Sequence, residues 1–131
     1  MDAPLNADDR LAIMGLLARY AHVMDGTDPQ AFLACFIPDA EMDVGCRTAK
    51  GEAEMRDFAD YFAAKRGRPS CHHITTIAIE GDAERARSRC YMLITDLDEQ
   101  GRTRHAGCCT HLDELVKIDD RWLIARRRVV V

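Results

Sequence analysis

The chain has 131 residues, of which 47% are hydrophobic and 31% charged, and its 18 basic and 22 acidic residues give a net charge of −4. This composition predicts one globular domain over residues 1–131 and excludes disordered and collagen-like classes. No basic surface and no apolar run of about 18 residues is present, so we expect neither nucleic-acid nor membrane binding. The first residues lack the features of a signal peptide, which favours a cytoplasmic protein.

The first helix is predicted to begin after Asn6, which can cap it, with Asp9 in its first turn. It is predicted to end near Asp25-Gly26, because glycine can adopt the left-handed conformation that closes a helix. Its expected buried stripe follows a spacing of three and four residues: Leu11, Met14, Leu17 or Ala18, Ala21 and Met24.

Two further helices are expected in the first half of the chain. The second starts from Asp28 as cap, with Pro29 in the first helical position, and continues until Pro38 stops it. A short strand over residues 39–44 follows. The third helix runs from about Glu52 to Arg66, with Gly67 as its stop. The apolar residues expected on these two helices are Phe32, Leu33, Cys35, Phe36, Met55, Phe58, Ala59 and Phe62.

After Pro69 the hydrophobic pattern has a period of two. Strands are predicted over residues 71–80, 84–96, 102–118 and 121–131, with turns at 81–82, 99–101 and 119–120. In the second of these strands three arginines face one side, and Ala86, Ser88, Cys90, Met92 and Ile94 face the other. Helices followed by strands predict an α+β fold, with a curved antiparallel sheet of four long strands and a short one and a pocket between the layers.

The six cysteines form no CxxC pair, so we expect free thiols that are mostly buried. A zinc site built from Cys71, His72, His73, Cys109 and His111 is disfavoured. Adjacent strand residues point apart, and the short spacers of structural zinc sites are absent.

Asp25 is the most informative polar residue. A carboxylate at the C-terminal end of a helix faces the negative end of the helix dipole, and Asp28 already caps the next helix. Asp25 therefore has no evident structural role and is a candidate site residue. The alternative is an exposed turn aspartate in front of glycine.

His72 and His73 are adjacent in a predicted strand, so only one of them can face the pocket. The periodicity does not choose between them. On the third long strand Cys109 and His111 share one face with His105 and Asp113, and this face adds a thiol and an imidazole if it turns inward. In the sequence Arg126-Arg127-Arg128 the two outer residues point to one face of the predicted strand and Arg127 points to the other. Arg127 is therefore the one candidate to face inward.

Nearly the whole chain resembles the SnoaL-like group of the nuclear transport factor 2-like superfamily, which includes scytalone dehydratase and hexachlorocyclohexane dehydrochlorinase. The resemblance depends on the order of loose motifs: RYAHVMDGTD, AFLACFIPDAEMDV, Gly51 at the start of the third helix, HHITT and KIDDRWLIARRR. It implies a cystatin-like α+β barrel: a cone of three helices on a strongly curved, mixed and mostly antiparallel sheet that encloses one deep pocket. It also implies a homodimer or homotrimer.

The resemblance implies site residues as well. Asp25 and His73 match the catalytic aspartate and histidine of these lyases, and Arg127 matches an arginine that lines the dehydrochlorinase pocket. Tyr20 replaces a lysine of that enzyme, and His111 replaces an asparagine of the dehydratase. Three more residues complete the expected substrate-binding set: Met24, Cys90 and Cys109. Met24 stands where the dehydratase has a tyrosine, and Cys90 lies near the position of its second histidine.

The implied reaction is the loss of water or halide from a small cyclic or aromatic substrate, begun by proton abstraction by the Asp25-His73 pair. No metal or organic cofactor is required for this chemistry. Two alternatives remain, because a fold does not fix a function. One is an isomerase or cyclase that begins with the same step, and the other is a non-catalytic ligand-binding or dimerisation module.

Overall fold

The computed structural model describes residues 3–65 and 69–131, which form three helices and six strands. The helices are α1 (Ala7–Asp25), α2 (Pro29–Leu33) and α3 (Gly51–Lys65). The strands are β1 (Phe36–Asp43), β2 (Thr48–Lys50), β3 (Ser70–Gly81), β4 (Arg85–Leu97), β5 (Thr103–Ile118) and β6 (Arg121–Val130). They form one sheet in the order β2-β1-β6-β5-β4-β3.

The sheet is mixed. Its β1–β6 pair is parallel, and the other pairs are antiparallel. It is not closed, since β2 and β3 form its two edges. The three helices pack on one face, and the core lies between them and the sheet. This confirms the expected α+β architecture, although six strands replace the predicted four long strands and a short one.

The predicted ends of α1 are confirmed, with one difference in how it closes. Asn6 Oδ1 accepts a hydrogen bond from the Asp9 backbone N–H at 2.8 Å, and the two residues form a capping box. The helix ends at Asp25, but Gly26 has a φ of −94° and an extended backbone. The expected left-handed closure is therefore wrong. The Gly26 N–H is satisfied instead by the carbonyl of Val23 at 3.0 Å.

The buried face of α1 is rotated relative to the predicted stripe. Leu11 is 65% exposed and Met14 is 44% exposed, so the prediction that they are buried is wrong. The residues of α1 in the hydrophobic core are Ile13, Leu16, Leu17, Tyr20 and Ala21. Both stripes fit the helical period, so the period alone does not decide which of them is buried.

The region of α2 and β1 differs most from the prediction. Asp28 caps α2 through two backbone N–H groups, as expected, but the helix ends at Leu33 and Pro38 lies inside β1. Pro38 has no backbone N–H to donate to a neighbouring strand. It is tolerated because the β1–β6 pairing is interrupted between Phe36 and Glu41, so that no such hydrogen bond is required there. Strand β2 was not predicted, because its three residues are too few to show a hydrophobic period. The expected end of the third helix at Arg66-Gly67 lies outside the described residues.

The strands of the second half follow the predicted pattern closely. The burial of β4 alternates, with Ala86, Ser88, Cys90 and Met92 buried and the residues between them exposed. Asp119 and Asp120 form the β5–β6 turn with φ values of 51° and 61°. On β6 Arg127 is fully buried between its two exposed neighbours. The sequence thus places the inward-facing residues correctly on β4 and β6.

Asp9 joins the start of α1 to the β5–β6 hairpin. Its Oδ1 accepts hydrogen bonds from Trp122 Nε1 and from Lys117 Nζ, each at 3.0 Å. These bonds lower the pKa of Asp9 below its ordinary value of 3.8. A depressed carboxyl pKa stabilises the fold above the ordinary value, and that stability is lost as the pH falls through the folded pKa.

We therefore expect wild type to be more stable than Asp9→Asn at pH 7, and the difference to shrink as the pH falls below about 3.8. Chemical unfolding of both proteins at stepped pH checks this. A difference that stays constant down to pH 2 would show that the charge on Asp9 does not act in this way.

In the part of the chain that the structure describes, no helix is long and apolar enough to cross a membrane.

Candidate functional site

Asp25 contacts β3 through two hydrogen bonds. Its Oδ1 accepts one from His72 Nδ1 at 2.7 Å and one from the His72 backbone N–H at 3.0 Å. Both side chains are partly shielded, with 13% of His72 and 25% of Asp25 exposed. The two donors offset the unfavourable position of a carboxylate at the end of α1. The residue that the sequence left without a structural role therefore has a specific imidazole partner.

The prediction that His73 pairs with Asp25 is wrong. His73 is exposed, and its Nε2 lies 3.0 Å from Thr95 Oγ1 on the neighbouring strand. His72 lies opposite Ile94, whereas His73 lies opposite Leu93, so the two imidazoles face opposite sides of the sheet. Motif matching could not separate the two adjacent histidines, and their orientation is decided by the register of β3 against β4.

The contact with Asp25 has a consequence for the chemistry of His72. In a neutral imidazole one ring nitrogen carries the proton and the other is an acceptor. Because Asp25 accepts from Nδ1, the proton is held there and Nε2 carries the lone pair. Within the described residues Nε2 has no hydrogen-bond partner. His72 is thus prepared to accept a proton at Nε2.

A second polar cluster lies deeper between the helices and the sheet. Arg127 Nε and Nη2 donate to the two oxygens of Asp113 at 2.6 and 2.7 Å, and neither side chain is exposed. Ser88 Oγ lies 3.3 Å from Asp113 Oδ2. The Arg127 guanidinium carbon is 4.0 Å from the centre of the Tyr20 ring. Although burial opposes the charged guanidinium, Asp113 raises the pKa of Arg127, so the guanidinium stays charged.

Burial also controls the other titratable groups of this cluster. It raises the pKa of Tyr20 to about 12, against the opposing charge of Arg127. It lowers the pKa of His111 to about 2, an effect that the charges of Arg127 and His72 reinforce. It raises the pKa of the Cys90 thiol to about 11. At neutral pH the phenol, imidazole and thiol are therefore all uncharged.

Two buried polar atoms of the cluster have no hydrogen-bond partner within the described residues: His111 Nδ1 and Arg127 Nη1. Buried polar groups are rarely left unpaired, because each costs roughly 1–3 kcal/mol. His111 also meets the Tyr20 ring edge-on, with ring centres 5.9 Å apart. Each of the two atoms therefore has a hydrogen-bonding capacity that the protein itself leaves unused.

The remaining predicted site residues contribute less. Met24 and Cys109 are partly buried and pack against the core, and Cys90 is fully buried beside His111 on the neighbouring strand. The expectation that most thiols are buried is wrong, since only Cys35 and Cys90 among the six free cysteines are buried. His105 is exposed because the β4–β5 register shifts between Ile94 and Thr95.

Sequence reasoning missed Asp113 as a member of the site. The sequence did contain a signal, because Asp113 lies on the same face of the predicted strand as Cys109 and His111. Its partner could not be found without the β5–β6 register, which pairs Asp113 with Arg127.

The single deep pocket remains a prediction. The cavities that the described residues line include a space of about 30 Å³ among the three helices and larger ones on the outside of the sheet, and none of these is lined by His72 or Arg127. Met92 is fully buried on the inner face of β4 and lies opposite Ile74 and Cys109. In the described ranges, 3–65 and 69–131, no group of three His, Cys, Asp or Glu side chains could hold a metal ion.

The neutral state of His111 makes a prediction about acid stability. The pKa of His111 in the folded protein is about 2, far below the ordinary value of 6.5. Between these two values the unfolded chain binds a proton on this histidine and the folded chain does not. We expect this histidine to reduce the free energy of unfolding by about 1.4 kcal/mol per pH unit below pH 6.5. The comparison of wild type with His111→Gln in urea between pH 7 and pH 4.5 checks this. Equal slopes in both proteins would contradict the prediction.

Comparison with known proteins agrees with this fold. The sequence model of the SnoaL-like domain matches residues 6–128. A search of curated proteins found no match. Among solved structures, a protein of unknown function with a cystatin-like fold from Nostoc punctiforme has a TM-score of 0.88 and 26% identity over 96% of this chain and 92% of that chain.

Two structures from Novosphingobium aromaticivorans are also similar in fold. A nuclear transport factor 2-like protein with a cystatin-like fold has a TM-score of 0.83 and 23% identity, over 93% of this chain and 80% of that chain. A protein described as a candidate scytalone dehydratase has a TM-score of 0.80 and 22% identity, over 95% of this chain and 85% of that chain. At these identities the likeness establishes the fold alone.

Proposed function

Because the chain belongs to the SnoaL-like domain family, we propose that it is a cofactor-independent lyase that removes water or halide from a small cyclic or aromatic substrate. The observation that carries this proposal is the contact of Asp25 with His72 Nδ1 at 2.7 Å, which leaves Nε2 free to act as a base. The similarity in fold to a candidate scytalone dehydratase supports the same reaction class.

In the proposed mechanism His72 Nε2 removes a proton from a carbon next to a carbonyl group. The electron pair of the broken C–H bond forms the enolate. The Asp25 carboxylate stabilises the imidazolium that results, as a general base requires. As the carbonyl re-forms, the electron pair makes the new C=C bond and the β-substituent leaves, either as halide or as hydroxide that takes the proton from His72.

The buried cluster of Arg127, His111 and Tyr20 is proposed to hold the substrate oxygen. Arg127 Nη1 is the charged donor without a partner, and His111 Nδ1 is the second free polar atom. His111 donates from Nδ1 in the tautomer that carries its proton there. Donors of this kind are most effective in a site without water, because they need no reorganisation when the enolate charge develops.

The cluster also limits the charge of the substrate. Asp113 already balances Arg127, and His111 and Tyr20 are neutral at pH 7. The Asp25 carboxylate adds a negative charge beside His72. A neutral carbonyl compound therefore suits the site better than a carboxylic acid, whose charge would have no free counter-charge there.

Proton abstraction can be tested before the natural substrate is known. The protein is incubated in D₂O with a panel of cyclic β-hydroxy and β-halo ketones, and deuterium uptake next to the carbonyl and loss of the β-group are followed by NMR. The proposal expects uptake or elimination with wild type and none with His72→Gln. Wild type that is inactive but binds these compounds would identify a binding module, and uptake that leads to a rearranged product would identify an isomerase.

A further inference from the structure

The outer face of the sheet carries a cavity of about 620 Å³, on the side away from the helices. This volume lies within the range of small-molecule sites. Its lining includes four arginines, two from each of two strands: Arg87, Arg89, Arg126 and Arg128. All four are exposed, whereas the protein as a whole has a net charge of −4. The lining also includes three carboxylates, those of Glu80, Asp113 and Glu114, so the arginines exceed the acidic residues by one.

The strand register arranges these arginines in two rows across the sheet. In the first row charges alternate from one edge to the other: Glu80, Arg87, Glu114, Arg126, Glu41 and Lys50. Glu41 contacts Lys50 at 3.2 Å and Arg126 at 3.8 Å. Opposite charges on neighbouring strands stabilise a sheet. The three positive and three negative charges of this row balance within the protein itself.

The second row lies two residues further along and is not balanced, because it carries two arginines against one carboxylate, that of Asp43. Here Arg89 and Arg128 flank Leu112, and the next residue beyond Arg89 is Ala78. Neither arginine forms an ion pair with any residue in the described ranges. Arg128 lies opposite Asp43 in the register but forms no ion pair with it. Asp43 Oδ1 instead accepts a hydrogen bond from the backbone N–H of Gly45 at 2.8 Å.

The spacing of the second row defines what it can bind. Two guanidinium groups stand on strands separated by β5, about 10 Å apart at the backbone. Each offers a planar pair of N–H donors that matches a carboxylate or phosphate. The partly buried Leu112 between them provides an apolar floor. This combination suits a flat or apolar core with an anionic group at each end.

We propose that this cavity is a binding site for a small organic dianion, clamped between Arg89 and Arg128 over Leu112. The site is on the opposite face of the sheet from His72 and Arg127, so it is independent of the proposed lyase activity. The ligand is a small molecule because the charged groups surround a concave cavity. A protein partner would instead be expected to bind a flat face.

The proposal is tested by NMR titration of the intact protein with three probes of one shape: terephthalate, with two charges, benzoate, with one, and neutral terephthalamide. We expect terephthalate to shift the backbone amides of residues 110–114 and to bind at least about tenfold more tightly than benzoate. Terephthalamide should cause no shift. Equal affinity for terephthalate and benzoate would overturn the proposal.

Matched variants locate the site. Arg89→Gln and Arg128→Gln should each weaken terephthalate binding about tenfold. Arg87→Gln, in the balanced row, and Arg121→Gln, exposed on β6 outside the cavity, should change it less than about twofold. Equal weakening by all four variants would indicate general charge attraction and overturn the clamp. Sedimentation of wild type that shows a dimer, lost in Arg89→Gln and unaffected by terephthalate, would show instead that this face binds a second copy.

Discussion

Replacing His72 by alanine is expected to lower the turnover of any elimination substrate by about 10²–10⁴, because it removes the base that accepts the substrate proton. Affinity for the substrate should change little, since the proposed oxygen-binding groups lie on other strands. The measurement is kcat and KM with the best compound from the ketone panel, in wild type and variant.

The matched control is the neighbouring histidine. His73→Ala removes the same chemical group one residue away, on the exposed face, where its contact is with Thr95. It should retain kcat within about twofold and lose less than about 0.5 kcal/mol of stability. If His73→Ala lost activity while His72→Ala kept it, the assignment of the base would be wrong.

The second large effect concerns the buried ion pair. Removing one partner leaves an uncompensated charge in the core, so Arg127→Met and Asp113→Leu should each destabilise the fold by about 3–5 kcal/mol. For a domain of this size the Tm should fall by roughly 10 °C or more. The exposed neighbour provides the control, since Arg128→Met should change stability by less than about 0.5 kcal/mol.

The double variant Arg127→Met/Asp113→Leu separates the charge effect from simple loss of packing. With both charges removed it should recover at least about half of the stability that either single variant loses. Thermal and urea unfolding of the five proteins measures these differences. Additive losses in the double variant would mean that the pair is not coupled as its geometry indicates.

Much of the fold follows from the sequence, because period and turn chemistry act locally. The alternation of arginines with small and apolar residues on β4 predicts its inner face, and glycine and aspartate mark the turns at Gly81-Asp82 and Asp119-Asp120. The failures have physical causes. Leu11 and Met14 fit the helical period as well as the residues that the core selects, and Pro38 lies where the strand register is already interrupted.

The site was predicted less completely, because it depends on contacts between distant strands. Asp25 could be found from its unfavourable place at a helix end. Arg127 could be found because it points to the opposite face of its strand from Arg126 and Arg128. The choice between His72 and His73 required the contact across 47 positions that joins α1 to β3. The partner of Arg127 required the β5–β6 register. The cytoplasmic location and the homodimer or homotrimer stay predictions.

The central claim is that Asp25 holds the proton of His72 on Nδ1 and leaves Nε2 as the base. The most direct measurement is the long-range ¹H–¹⁵N NMR spectrum of the histidine side chains at a pH where His72 is neutral, in wild type and Asp25→Ala. We expect wild-type His72 to show a protonated Nδ1 and an unprotonated Nε2, and the variant to shift toward the Nε2–H form that predominates in free histidine. A wild-type His72 already protonated at Nε2, or a tautomer unchanged by Asp25→Ala, would contradict the account.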